Sequence, residues 1–336
     1  MLSLGIAVAA ILAANIAMCG VALAQVSSLH KGRHAAATDY PTKPVRMLVG
    51  LAPGGATDIL ARALGQRLSE NFGRSFVVDN RSGAGGSIAA ALVAKSTPDG
   101  YTLLAVSAGY SIGAALYEKL SFDPIKDLTP VSRIAESPFL LVVHPTLAAK
   151  NLKDLLALAK SKPGQLNFAH AGNGSSGHLT SELFKSMAGI RAVNVPYKGA
   201  GPALLDLLAG QVDLMMANIL SSLPYVRSGR LRALAVTSAK SSAIAPDIPT
   251  VGDAGVPDYA VVSWYGILAP AGTNASIILK LNRQIGIIMK SSAMKQWLEQ
   301  DGAEPVDTTP EQFGIFISKE ISRWRDVVRD SEVKLN

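Results

Sequence analysis

The chain has 336 residues, 49% apolar and 17% charged, with a formal net charge of +7. That length exceeds what one ordinary core fills and suits two lobes, since domains run to roughly 100–200 residues, and the composition excludes a disordered chain. The basic excess is mild and unclustered, which argues against a nucleic-acid partner and leaves a slight bias toward anionic ligands.

The chain opens on an apolar run, Leu2 to Ala24, that holds no Asp, Glu, Lys or Arg and ends in Ala22-Leu23-Ala24 before Gln25. A small-x-small ending is the pattern of a cleaved secretory signal. Residues 1–24 are therefore expected to be a signal peptide and the product exported; left uncleaved, a run of this length would anchor the chain in a membrane. The positive residue usual near the start is missing, and Met18 before Cys19 argues against lipidation. Cleavage after Ala24 would leave no cysteine, so neither a disulfide nor a thiolate metal site is expected. Residues 25–39 read as a polar spacer.

A strand at 45–50 runs into Pro53-Gly54-Gly55 and then into a helix with Ile59, Leu60, Ala63, Leu64 and Leu68 on one face. The alternation continues with a strand at 76–78, a helix at 87–94, a strand at 102–106 and a short helix near 112–117. A uniformly apolar strand at 139–143 follows, then a helix capped by Asn151 that Pro163-Gly164 ends. Strands at 166–169, 192–195, 212–216 and 231–236, with helices at 178–187 and 202–208, form a second α/β series. After a proline-rich connection come a strand at 261–269 and helices at 276–289, 294–300 and 311–328. The last starts at Thr309-Pro310-Glu311-Gln312, a capping box with proline at the first helical position. Strands separated by helices predict a largely parallel sheet. The apolar strands 139–143 and 261–267 flank the middle series and are the candidate hinge crossings. Residues 40–140 plus 265–336 would then form lobe 1, and 141–264 lobe 2, closing on a ligand by hinge bending.

Three glycine-bearing loops stand between a strand and a helix, where backbone N–H groups and the helix dipole make an anion site without Lys or Arg. The first offers Pro53, Gly54, Gly55, Thr57 and Asp58, the second Asn80, Gly83, Gly85 and Gly86, and the third Asn173, Ser175, Ser176 and His178. Ser107 and Ala108, ending the strand after the second loop, join the candidate ligand contacts. In open α/β sheets ligands bind beyond the C-terminal ends of strands, so two facing lobes would bring these loops together. Asp58 could equally cap its helix, His178 could be structural, and Trp264 with Tyr265 could either wall a ligand or fill core.

Gly172 to Gly177 also satisfies G-x-G-x-x-G, the dinucleotide fingerprint, and a dinucleotide-dependent enzyme is the alternative reading. Against it, the next strand, Ala192 to Lys198, carries no Asp or Glu to hold a ribose. A Walker motif, a G-x-S-x-G elbow and a zinc-binding histidine pattern are also missing, so no catalytic residue, cofactor or metal is expected.

From Tyr40 onward the chain resembles the Bug (TctC-like) family, the periplasmic receptors of tripartite tricarboxylate transporters. The resemblance is carried by Tyr40-Pro41, Lys43-Pro44, Pro53-Gly54-Gly55 with Asp58 and Ala61-Arg62, Asn80 with Gly83-Ala84-Gly85-Gly86, and Pro98 to Leu103. It continues in Val195 to Gly199, Leu207 to Asp213 and Ile248-Pro249-Thr250. It implies a type II periplasmic-binding-protein fold, two α/β lobes joined by two crossing strands, a monomer that closes on a di- or tricarboxylate or aromatic carboxylate and hands it to membrane transporter subunits. The first-lobe loops would grip one carboxylate through amides and ordered waters. Asn173 to His178, with Tyr197, Lys198 and Gly199, would meet the other end, and Asn218 would stand nearby. Many relatives carry an acidic residue where Ala217 precedes Asn218, so a ligand ammonium would lose a partner and a plain carboxylate is favoured over an amino acid.

Overall fold

A computed structural model of the chain describes residues 39–331 except 118, 243 and 301. The expected signal segment, Cys19 and nearly all of the expected spacer lie outside the described residues. Residues 1–42 and 43–336 are separate units, and the fold that follows is that of the second.

In chain order the second unit runs β1 (Val45–Val49), α1 (Ala56–Phe72), β2 (Phe76–Asn80), α2 (Ser87–Ala94), β3 (Thr102–Ser107), α3 (Gly109–Leu116) and β4 (Leu128–Val143). Next come α4 (Leu152–Ser161), β5 (Asn167–His170), α5 (Ser176–Ala188), β6 (Val193–Pro196), α6 (Ala200–Leu208), β7 (Leu214–Asn218), α7 (Ile219–Arg227) and β8 (Arg232–Val236). The chain finishes with β9 (Val262–Pro270), α8 (Ala275–Lys290), α9 (Ser292–Gln300), β10 (Glu304–Pro305) and α10 (Pro310–Ser331). The caps read from the sequence are in place: Asn151 accepts the Asp154 N–H at 2.9 Å. Thr309 and Gln312 exchange reciprocal bonds of 3.0 and 3.1 Å at the start of α10.

Neighbouring strands follow the order β2-β1-β3-β9-β4-β7-β5-β6, with β8 and β10 also on β4. β1 is parallel to β2 and β3, and β5 is parallel to β6 and β7, as the strand–helix alternation predicts. The antiparallel pairs arise where β4, β8, β9 and β10 join.

β4 is the member common to both sheet halves. From Leu128 to Pro138 it pairs with β9, and from Phe139 to Val143 with β7 and β8. The hand-over is pinned from the side: Thr237 Oγ1 accepts from the Phe139 N–H at 2.8 Å and donates to the Val261 carbonyl at 2.7 Å. Asn218 Nδ2 adds bonds to Ser137 Oγ and the Pro138 carbonyl. β9 pairs with β3 and with the Leu128–Pro138 part of β4, and just before it the Val261 N–H donates to the Thr237 carbonyl at 2.7 Å.

Besides the two-residue strand β10, two elements escaped the sequence reading. The first part of β4 contains Pro130, Ser132, Arg133, Glu136, Ser137 and Pro138, a composition that argues against a strand. Bulges at Pro130/Ser132 and Arg133/Ala135 absorb it, and buried β9 supplies the ladder. α7 encloses Pro224, a helix breaker by local rules, yet burial of Ile219, Leu220 and Leu223 holds the segment helical.

Along Phe139–Val143 alternate residues feed opposite sides. Leu141 and Val143 join a core with Phe168, Phe184 and Tyr259, while Leu140 and Val142 join one with Leu204, Leu207 and Leu223. Burial on both faces explains the uniformly apolar sequence. A further core under the first half gathers Leu48, Leu104, Trp264, Phe313 and Trp324.

Candidate functional site

Parallel β1, β2 and β3 all end on one side of their half-sheet, and β5, β6 and β7 do the same in the other, so every candidate loop leaves a strand's C-terminal end. Helices start directly behind these loops, at Ala56, Ser87, Gly109, Ser176 and Ala200, and their N-terminal amides turn positive potential toward whatever lies between.

The two sets of loops touch. The Ala52 N–H donates to the Lys198 carbonyl at 2.9 Å. A Cβ on Gly199 would lie 2.6 Å from the Ala52 nitrogen, and one on Gly201 would overlap the Pro53 carbonyl oxygen. Gly54 and Gly55 complete this seam opposite Gly201 and Ala200. A second seam joins Gly85, whose φ is +62°, to Asn173: a Cβ on Gly85 would stand 2.7 Å from the Asn173 carbonyl oxygen. That same oxygen accepts a bond from the Tyr117 hydroxyl at 3.2 Å. Ala84, in the same turn, holds a φ of +46°, a strained conformation of the kind that clusters at binding sites.

Between the seams lies a cavity of about 730 Å³ whose walls include Leu51, Ala52, residues 82–85, Tyr117, residues 171–173, residues 196–198 and Pro202. Most of these residues have no polar side chain, which leaves recognition there to backbone groups and to Ser82, Tyr117, Asn173, Tyr197 and Lys198. No Asp or Glu among the described residues lines it. A chamber of about 40 Å³ adjoins it through Leu51, Ala84 and Gly85 and is walled further by Thr57, Gly86 and Ser107, enough room for water.

The residues expected to bind ligand therefore divide. Gly83, Gly85, Asn173, Tyr197 and Lys198 line the cavity, and Thr57, Gly86 and Ser107 the chamber. Pro53, Gly54, Gly55 and Gly199 form the seam, and Ser175 and Ser176 meet Gly109 at the start of α5. Others lie away from the cavity walls. Asp58 does not cap α1, whose N-cap is Gly55; it is buried and accepts from the Gly54 N–H at 3.1 Å, Arg62 Nε and Asn80 Nδ2 at 3.0 Å. Asn80 Nδ2 also reaches the Leu51 carbonyl at 2.9 Å, so this cluster braces the 51–54 loop from behind. Ala108 is buried beneath α3, where its carbonyl accepts from Ile112. Asn218 caps α7 and pins the crossing strand. Trp264 is core: its ring meets Phe313 and Phe316 edge-on and its Nε1 donates to Glu320 at 3.2 Å. Tyr117, Leu51 and Ser82 were missed; nothing local marks a tyrosine at the end of a short helix as a cavity wall.

His178 also stands behind its loop, accepting the Gly174 N–H on Nδ1 at 3.3 Å. Its ring stacks at 4.3 Å on fully buried His170. Burial, then the neighbouring His178, holds the His170 imidazole down at about 4, so it is neutral near pH 7. Burial alone would raise the nearby Glu182 carboxyl, but bonds from His178, Lys185 and Asn194 outweigh it and bring the group to about 2. Both folded-state values lie below the ordinary ones, so the folded chain binds fewer protons and both groups favour folding at high pH. Stability should fall as pH drops from about 6.5 toward 4 through His170, and again toward 2 through Glu182. A His170→Asn variant should flatten the upper part of that decline in melting temperature against pH; an unchanged profile would rule the histidine out.

A family model described as the tripartite tricarboxylate transporter family receptor, TctC, matches residues 60–333. The chain belongs to this receptor family. The receptor is 41% identical to protein BugT of Bordetella pertussis over 301 residues, covering 89% of this chain and 92% of that one. Among solved structures, the receptor is similar to R. palustris Rpa4515 with adipate, at a TM-score of 0.85 and 40% identity over 88% of this chain and 99% of that one. It is also similar to MatC from Rhodopseudomonas palustris with bound malate, at 0.82 and 34% over 86% and 100%. The type II periplasmic-binding fold expected from the resemblance is the fold of these neighbours. The dinucleotide-enzyme alternative finds no support: the Gly172–Gly177 loop does join a strand to a helix, but β6 ends without an acidic side chain. Among the described residues, no helix is long and apolar enough to cross a membrane.

Proposed function

We propose that the receptor captures a small carboxylate between its two lobes in the periplasm and hands it, unaltered, to the membrane subunits of a tripartite transporter. The observation that carries the reading is the cavity wall: the backbone of Gly83–Gly85 and Asn173, helix N-termini behind it, Lys198, and no acidic residue in the lining among the described residues. Such a wall favours negative charge and offers an ammonium no counter-ion, which selects plain carboxylates over amino acids. The solved relatives that hold adipate and malate support the ligand class. The Ala52–Lys198 bond and the glycine seams give the closed state, and opening about the Phe139 and Val261 crossings gives the way in.

A ligand that binds only the native state raises the melting temperature by mass action. Adipate, malate, an aromatic carboxylate, glutamate and NAD should therefore separate in a thermal-shift series, with at least one plain carboxylate stabilising and NAD inert. At a hundredfold excess over Kd the stabilisation is about 2.7 kcal/mol. Stabilisation by NAD alone would overturn the proposal.

A further inference from the structure

We propose that the Tyr117 ring is the end stop of the cavity and sets the length of ligand that the closed cleft accepts; this rests on the carboxylate reading above. Tyr117 follows α3 directly, and its N–H donates to the Gly113 carbonyl at 3.0 Å, so the ring projects from the end of a helix whose start abuts the Ser175–Ser176 turn. From there it reaches the opposing loop, with its hydroxyl on the Asn173 carbonyl and its edge 3.4 Å from the position a Cβ on Gly174 would take.

The ring has two sides. Inward, Tyr117 and Ala84 line the main cavity; outward, the same two residues line a second groove of about 410 Å³. The groove's other walls are mainly apolar, including Ile88, Leu92, Leu120 and Phe122, with Lys95 and Lys119 also on it. No other residue borders both spaces among the described residues. Ala84 contributes little more than backbone to this partition. The part that decides whether the spaces are separate is the Tyr117 side chain, held by one hydrogen bond and by ring packing. With the ring in place a ligand ends at it; with the ring gone, a methylene chain can run on into an apolar groove and carry its far carboxylate toward the lysines.

Calorimetric titration of straight-chain α,ω-dicarboxylates from succinate to sebacate tests this in the wild type, Tyr117→Phe and Tyr117→Ala. The wild type should lose affinity beyond a limiting length. Tyr117→Phe keeps the ring and should keep that limit while weakening every acid alike. Tyr117→Ala should improve the ratio of the longest to the shortest acid by about tenfold, the gain expected from burying roughly two further methylenes. The same length profile in the wild type and Tyr117→Ala would overturn the proposal, as would an equal shift in Tyr117→Phe, which would assign the effect to the hydroxyl. Should Tyr117→Ala fail to fold, Tyr117→Leu carries the same comparison. Binding of no acid by the wild type would fell the carboxylate reading itself, and the end stop with it.

Discussion

Gly201→Ala should cost the receptor most of its ligand affinity while leaving the fold intact. Gly201 sits in the first turn of α6 with a backbone conformation that any residue adopts, so alanine is locally acceptable there. What forbids it is tertiary: the new methyl would overlap the Pro53 carbonyl oxygen on the opposing loop, and backbone cannot swing aside as a flexible side chain can. The overlap exists only when the loops meet, so the penalty falls on the closed state alone. Overpacking of this kind costs about 1–3 kcal/mol, which reads as roughly a 5- to 150-fold loss of affinity. Titration with the best carboxylate, beside a melt of the ligand-free variant, checks both halves. Wild-type affinity would show that Pro53 and Gly201 need not approach for binding.

Asp58→Ala is expected to lower stability and affinity together. The carboxylate is buried, yet it serves three donors, the Gly54 N–H, the Arg62 guanidinium and the Asn80 amide. Burial raises its pKa, but Arg62, Gly54 and Asn80 together more than reverse that and hold the group below its ordinary value, so its contribution is complete near neutrality and lost in strong acid. Without it the Gly54 N–H and the Asn80 amide lose an acceptor, while half-exposed Arg62 returns to water. Charged hydrogen bonds contribute about 1.5–3 kcal/mol each, and with Arg62 resolvated a net loss of roughly 3 kcal/mol follows. Leu51 and Ala52, which Asn80 and Asp58 brace, line the cavity, so binding should weaken as well. A urea midpoint within experimental scatter of the wild type would remove the bracing role. Arg62→Ala should cost less, because its head is half in water.

The periodic elements were legible because their signal is local. Apolar faces at helical spacing place α1, α4, α8 and α10, and Asn151 and the Thr309–Gln312 box mark helix starts through bonds between residues three apart. The glycine loops were legible because tight turns before helices leave few alternatives. The first part of β4 was hidden by its prolines and charges, whose tolerance depends on β9, far along the chain. Trp264 stood in the right strand but faces α10, because which side of a strand meets the cleft is settled by what packs on the other side.

The amino-acid sequence alone determined the alternation of strands and helices, the caps, and the turns able to present amides to an anion, since each is governed by residues within a few positions of one another. The tertiary structure decided which turns face each other, that Asp58, Asn80, His178 and Asn218 hold backbone in place, and that Tyr117 lines the cavity. Those outcomes depend on contacts such as Ala52 with Lys198 and Tyr117 with Asn173, made between segments whose proximity no local pattern encodes.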